Sequence, residues 1–157
     1  MNLFDTNYVP LVKLHMVKER FLPYGKEKVY TAENVANMVR RLVEGADREY
    51  LMVISLDGAK QLVGVEIVAV GTLNCAYAES REIFKHAILA GAAGLILAHN
   101  HPSGCTEASE SDWQMTEQVR QAGNLLGIEV YDHIILGEGG EYRSLRECEQ
   151  WNRNNVA

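Results

Sequence analysis

His99 and His101 sit either side of one asparagine in the run His99-Asn100-His101-Pro102. In an extended segment, residues two apart leave the same face with Cα atoms about 6.6 Å apart, near enough for two imidazoles to meet one ion. Asp112 follows His101 past a turn containing Pro102 and Gly104. There, in the first turn of a helix, its carboxylate can swing back to the strand end. Two neutral nitrogens and one carboxylate oxygen suit Zn2+, and three protein ligands leave the fourth tetrahedral position for water, as in catalytic rather than structural sites. A purely architectural account covers the same residues. Polar groups at a strand end cap a sheet or meet solvent, and Ser109-Glu110-Ser111-Asp112 is a capping box with Ser109 at N-cap and Asp112 at N3. One carboxylate is not expected both to reach back to its own cap and to hold a metal, so the residues alone leave Asp112 with two readings.

Periodicity predicts the elements that must bring these groups together. Residues 1–28 have weak periodicity broken by Pro23-Tyr24-Gly25, and are read as an arm with room for one edge strand. Thr31 is placed as the N-cap of a first helix in which Val35, Met38, Val39 and Leu42 recur at helical spacing and Gly45 marks the stop. Tyr50 to Leu56 and Leu62 to Val70, separated by Asp57-Gly58, read as a hairpin of buried strands. The stretch from Thr72 to Ala78 is a candidate further strand. Ile83, Phe84, Ala87 and Ile88 mark a second, amphipathic helix. Gly94 to Ala98 is a compact apolar strand that delivers the histidines at its end, where Pro102 removes a ladder donor. A third helix starts at Ser109 with Met115, Val119, Ala122 and Leu126 on one face and Gly127 near its end, and Val130 to Leu136 is the last clear strand. The order predicts a mixed α/β fold with helices packed on a central sheet, and no repeat of 20 to 50 residues is visible.

With 157 residues, 47% of them hydrophobic, the chain has enough material for one core and little for two. Its net charge of −6 argues against sequence-independent DNA binding, which depends on basic side chains displacing counterions. Lys13, Lys18, Arg20, Lys26 and Lys28 form the densest basic stretch, but Glu19 and Glu27 interrupt it. Cys75, Cys105 and Cys148 include no CxxC pair and predict a reduced, cytoplasmic protein without disulfides. Met1 to Asp5 carry no secretory signature, and no apolar run approaches the ~18 residues that span a bilayer.

Glu49, then His99-Asn100-His101-Pro102-Ser103-Gly104, then Ser109-Glu110-Ser111-Asp112 resemble the JAMM motif of the JAB1/MPN metallopeptidases. Asp132-His133-Ile134-Ile135 and Arg81-Glu82 bring the resemblance closer to the RadC-like branch, a bacterial group traditionally labelled DNA repair proteins. It covers about residues 30 to 147, and divides the chain into the arm, 1–28, and a RadC-like JAB/MPN domain, 29–157. The resemblance implies the MPN (cytidine-deaminase-like) fold, a Zn2+ on His99, His101 and Asp112, a metal-activated water with Glu49 as base, and Ser109 near the developing oxyanion. It also implies hydrolysis of a peptide or isopeptide bond in a protein or peptide substrate, and a homodimer, since MPN-type domains often pair.

Spacing alone does not select Glu49, for which Glu44, Asp47, Glu66 and Glu82 are competitors and a solvated strand-start glutamate is the plainer account. Cys105 is an alternative or additional ligand, although a thiolate would tend to close the site. Asp132 and His133 are neighbours in a strand and point to opposite faces, so they are read as fold support or as groups positioning the ligands rather than as a relay. His15, His86, Trp113 and Trp151 are read as surface or packing residues. The chain departs from the RadC-like pattern at Glu79-Ser80, where His-Pro is common, and at Ala108, where proline is. It also has no room for the helix-hairpin-helix segment of longer relatives, and in this it resembles stand-alone copies on phages and mobile elements. Two other function classes stay open: a non-catalytic MPN binding module in DNA repair or mobile-element transactions, and a metal-dependent nuclease.

Overall fold

The computed structural model of the protein describes residues 9–24, 31–71 and 78–153. Thr31 caps the first helix, α1 (Ala32–Arg40), by accepting the Asn34 N–H at 3.1 Å. Val35, Ala36, Met38 and Val39 form the buried stripe of α1. The hairpin strands are β1 (Tyr50–Leu56) and β2 (Leu62–Val70), and Asp57 Oδ1 closes their turn by accepting the Ala59 and Gln61 N–H groups at 2.9 Å each. Helix α2 (Ser80–Leu89) leads to β3 (Gly94–Asn100), which is buried along its whole length. Helix α3 (Glu110–Leu126) then crosses over to β4 (Glu129–Leu136).

Among the described residues the sheet has the order β2-β1-β3-β4-β5, where β5 is Tyr142–Ser144. β1 runs antiparallel to β2 and to β3, while β3 and β4 are parallel, the arrangement a helical crossover between them requires. Central strands buried on both faces read as continuous apolar runs rather than as alternation, which is why β1 and β3 look alike in sequence. On one face Met52, Ile54, Ile96, Ala98 and Ile134 pack with α1. On the other, Leu51, Val53, Leu95, Leu97 and Ile135 pack with Ile83 and Phe84 of α2, Met115 and Val119 of α3, and Trp151.

Among the described residues, three short pieces follow β4: β5, a 3-10 turn (Leu145–Glu147) and α4 (Glu149–Arg153). None was expected from the sequence, because each is too short for a periodic signal and is held by tertiary contacts. β5 pairs with the end of β4, and Trp151 drops into the core. Within the arm, residues 9–24 form neither helix nor strand, and residues 1–8 and 25–28 lie outside the described part. So does most of the candidate strand from Thr72 to Ala78. Among the described residues, no helix is long and apolar enough to cross a membrane.

The β3–β4 ladder has one irregularity. Val130 pairs with Leu95 but Asp132 pairs with Ile96, so Tyr131 is an extra residue in β4, a β-bulge. Gly94 makes room for it: a Cβ there would run into the Tyr131 ring and come within 2.8 Å of the Glu129 carbonyl oxygen.

Candidate metal centre

The end of β3 is held from two sides. The His101 N–H donates to the Leu136 carbonyl at 3.0 Å, carrying the β3–β4 pairing one residue past the strand. The chain then turns back through Pro102 to Gly104, whose N–H donates to the His101 carbonyl at 2.9 Å and whose φ of +80° favours glycine. The Glu138 N–H donates to the Gly104 carbonyl at 3.2 Å, tying this loop to the turn after β4. From α1, Arg40 donates to the Gly137 and Glu141 carbonyls at 2.6 Å each, so that turn is itself anchored.

Asp112 enters from the first turn of α3. The capping box is fully formed: Asp112 N–H donates to Ser109 Oγ at 3.2 Å, and Ser109 N–H donates to Asp112 Oδ2 at 2.7 Å. The same carboxylate nevertheless faces both imidazoles, with Oδ1 3.2 Å from His99 Nε2 and Oδ2 3.5 Å from His101 Nε2. The sequence expectation that capping and ligation compete is therefore corrected. Oδ2 carries the cap bonds and Oδ1 carries none of them, so forming the cap does not turn the carboxylate away from the rings.

His99 Nε2 and His101 Nε2 are 2.9 Å apart. Among the described residues, His99, His101 and Asp112 offer ligand atoms that all lie within 4.8 Å of one another. The far side of each ring fixes what the near side presents. His101 Nδ1 is 2.8 Å from the Cys105 carbonyl, which can only accept, so this nitrogen carries the proton. His99 Nδ1 is 2.8 Å from His133 Nε2, and His133 Nδ1 is 2.6 Å from Thr116 Oγ1. Rings held in this way turn two Nε2 atoms and a carboxylate toward one point, a donor set that fits a divalent cation.

The electrostatics agree. Burial opposes ionisation of Asp112, but its contacts with His101 and His99 outweigh it and hold the carboxyl well below the usual carboxylate range. The Asp112 hydrogen bond raises the pKa of His101 against the effect of its burial, with smaller contributions from the Cys105 carbonyl and the Glu49 charge. His133 is pushed well below the ordinary imidazole value, first by burial and then by His99.

Glu49 lies just before β1. Leu51 pairs with His99 in the antiparallel β1–β3 ladder, so the same register carried two residues further sets Glu49 beside His101. Glu49 is 7% exposed. Its competitors differ: Glu44 and Asp47 are exposed, and Glu66 and Glu82 are partly exposed, with Asp47 paired to Arg48 and Glu82 to Lys85. Asn100, between the two histidines, clamps the segment by accepting the Tyr50 N–H at 2.8 Å and donating to the Arg48 carbonyl at 3.0 Å. Sequence reasoning passed over Asn100 and Thr116. The position of Asn100 between two candidate ligands was the available signal for the first, and Thr116 carried none.

The remaining expectations fare differently. Ser109 Oγ donates to Asp112 Oδ2 at 2.7 Å, so its proton is directed at the carboxylate. Cys105 contributes its carbonyl to His101, and its thiol is not among the grouped ligand atoms. Asp132 and His133 do face opposite ways. Asp132 accepts from the Ser144 hydroxyl at 2.7 Å and from the Arg146 N–H at 3.2 Å, supporting β5 and the 3-10 turn. His15 is exposed, His86 pairs with the Ser55 hydroxyl at 2.7 Å, and Trp151 is core packing.

Comparison with known proteins matches residues 29–151 to the RadC-like JAB domain. The chain belongs to that family. Family members in Rubrobacter xylanophilus, Moorella thermoacetica and Pelodictyon phaeoclathratiforme, each named UPF0758 protein, are 40%, 43% and 40% identical to it. The aligned regions cover 78%, 73% and 91% of this chain and 53%, 49% and 65% of those proteins. This RadC-like chain thus spans about half the length of the first two relatives, and their printed names assign no activity. Its five-stranded mixed sheet and flanking helices are consistent with the JAB/MPN fold.

Proposed function

We propose that this RadC-like domain is a zinc-dependent hydrolase of peptide or isopeptide bonds, in which Glu49 serves as the base. The observation that carries this reading is the convergence of His99 Nε2, His101 Nε2 and the Asp112 carboxylate on one point, with the far side of each ring already committed. Three ligands of this type leave a coordination position open, unlike the four of a structural zinc site. A zinc ion bound there would lower the pKa of a water toward ~7 and polarise the scissile carbonyl. Glu49, buried beside His101, is set to take the proton released by that water and return it to the leaving amine. Ser109 is the hydroxyl nearest the carboxylate ligand, and turning its proton from Asp112 toward the substrate would give a developing oxyanion a donor.

The test is direct. Protein purified without chelator is expected to hold or take up about one zinc per chain. Glu49→Gln is expected to keep the metal while lowering hydrolysis of a fluorogenic isopeptide by about 10²–10⁴-fold. Protein that carries no metal and gains none on titration overturns the proposal.

One observation favours a second reading, a metal-bearing binding module without turnover: the Ser109 proton is given to Asp112. On that reading Glu49→Gln leaves function in cells unchanged. The net charge of −6 favours a protein or peptide over DNA as the partner. Nicking of plasmid in the presence of zinc or manganese would instead support the nuclease.

A further inference from the structure

Three hydrogen bonds link two of the metal-site residues through the interior of the protein. They run from His99 Nδ1 to His133 Nε2 at 2.8 Å, from His133 Nδ1 to Thr116 Oγ1 at 2.6 Å, and from Thr116 Oγ1 to the main-chain carbonyl of Asp112 at 2.6 Å. His133 and Thr116 are 0% and 1% exposed, so both are shut off from bulk solvent.

The protons in this chain can run only one way. A carbonyl oxygen accepts and never donates, so the single Thr116 hydroxyl proton points at Asp112. Thr116 Oγ1 then offers only lone pairs to His133, which must carry its proton on Nδ1. A neutral His133 has a bare Nε2, and that nitrogen accepts from His99 Nδ1–H. His99 is left with its lone pair on Nε2, the nitrogen that faces His101 and Asp112.

The fold goes out of its way to build this chain. Were Tyr131 paired with Ile96 as an ordinary strand residue, His133 would pair with Ala98 and face α1; with Tyr131 bulged out of the ladder, His133 pairs with Leu97 and faces α3, where Thr116 lies. An apolar pair would fill the same space without the cost of burying two polar side chains.

We propose that His133 and Thr116 are positioning residues that fix the ring tautomer of His99, keeping its Nε2 lone pair turned toward the metal point before any metal arrives. The benefit to metal binding rests on the metal-site reading above. The tautomer itself does not.

Two measurements test the proposal. In zinc-free protein with 15N-labelled histidines, long-range proton–nitrogen spectra are expected to show His99 and His133 protonated on Nδ1 and bare on Nε2. A His99 ring protonated on Nε2 overturns the proposal, whatever the protein does with metal. In Thr116→Val, a near-isosteric change, His133 Nδ1–H loses its acceptor. The His99–His133 pair is then expected to switch tautomer, and zinc affinity measured by chelator competition to fall about 10- to 100-fold. Thr116→Ser is expected to restore both. Unchanged tautomer and affinity in Thr116→Val, or failure of Thr116→Ser to rescue a folded protein, also overturns it. If the wild-type protein binds no metal while its rings show the expected pattern, the hydrolase reading falls and the positioning chain stands.

Discussion

His99 and His101 share a strand and a target, yet they are held by different parts of the molecule. His99 is 2% exposed and fastened through side chains of β4 and α3. His101 is partly exposed and fastened by one main-chain carbonyl in the loop after β3. The first ring is therefore part of the core, and its geometry is as stable as the packing around it. The second depends on a loop of eight residues, 102–109, with Gly104 at a positive φ. On the proposed function, a site divided this way would keep one ligand fixed while the other adjusted with the coordination number, which suits turnover more than permanent metal storage.

The largest effect that can break this comparison is loss of either ring. His99→Ala and His101→Ala are both expected to abolish zinc uptake, read by metal analysis of the purified variants. They should part company in stability. His99→Ala strands His133 Nε2 in the interior and is expected to cost the metal-free protein about 1–3 kcal/mol more than His101→Ala, as measured by urea unfolding. Equal costs would mean the two rings are held alike.

Next in size is Gly94→Ala. The added methyl meets the Tyr131 ring and the Glu129 main chain, which cannot yield as a flexible side chain would. A loss of about 1–3 kcal/mol is expected on unfolding, with zinc affinity reduced because the bulge carries His133.

A change of pH should separate the rings more finely. The raised pKa of His101 places a proton on its Nε2 above the pH at which an ordinary imidazole takes one, 6.5. Metal must displace that proton, so zinc affinity is expected to fall as pH drops through the raised value, approaching tenfold per pH unit, followed by calorimetric titration. In the metal-free protein the sign is opposite. The His101–Asp112 pair stabilises the fold fully below pH 6.5 and loses that contribution as pH rises through the raised value.

The smallest effect expected is that of Cys105→Ala. Only the main-chain carbonyl of this residue holds His101, so zinc affinity should be unchanged by chelator competition. A marked drop would bring the thiolate into the coordination sphere.

Seven elements of the fold were legible because long apolar runs and helical stripes survive translation into structure. Thr31, Ser109 and Gly127 marked helix ends by mechanisms that operate within a few residues, and the structure has each in its expected capping role. The pair of histidines was legible for the same reason, since their spacing is local. Glu49 was not, because its link to His101 is an antiparallel register between strands fifty residues apart. That the Asp112 carboxylate both caps α3 and faces the two rings was hidden as well: residue types say what a carboxylate can bond, not which oxygen does so. For His133, alternation along a strand predicted that it opposes Asp132, but which of the two faces α3 depends on an irregularity with no periodic trace.

That irregularity has an evolutionary consequence. A pleated strand counts in twos, but a bulged residue drops out of the count, so the inward neighbour of His99 is set by the pairs that flank the bulge. Deleting one codon at Tyr131 would leave Val130 opposite Leu95 and Asp132 opposite Ile96 in an unbroken ladder, so the acid and the imidazole that follow would keep their places. Relatives of this chain are therefore free to vary the residue at that position or to lose it, and a one-residue gap in this short stretch should fall at the bulge.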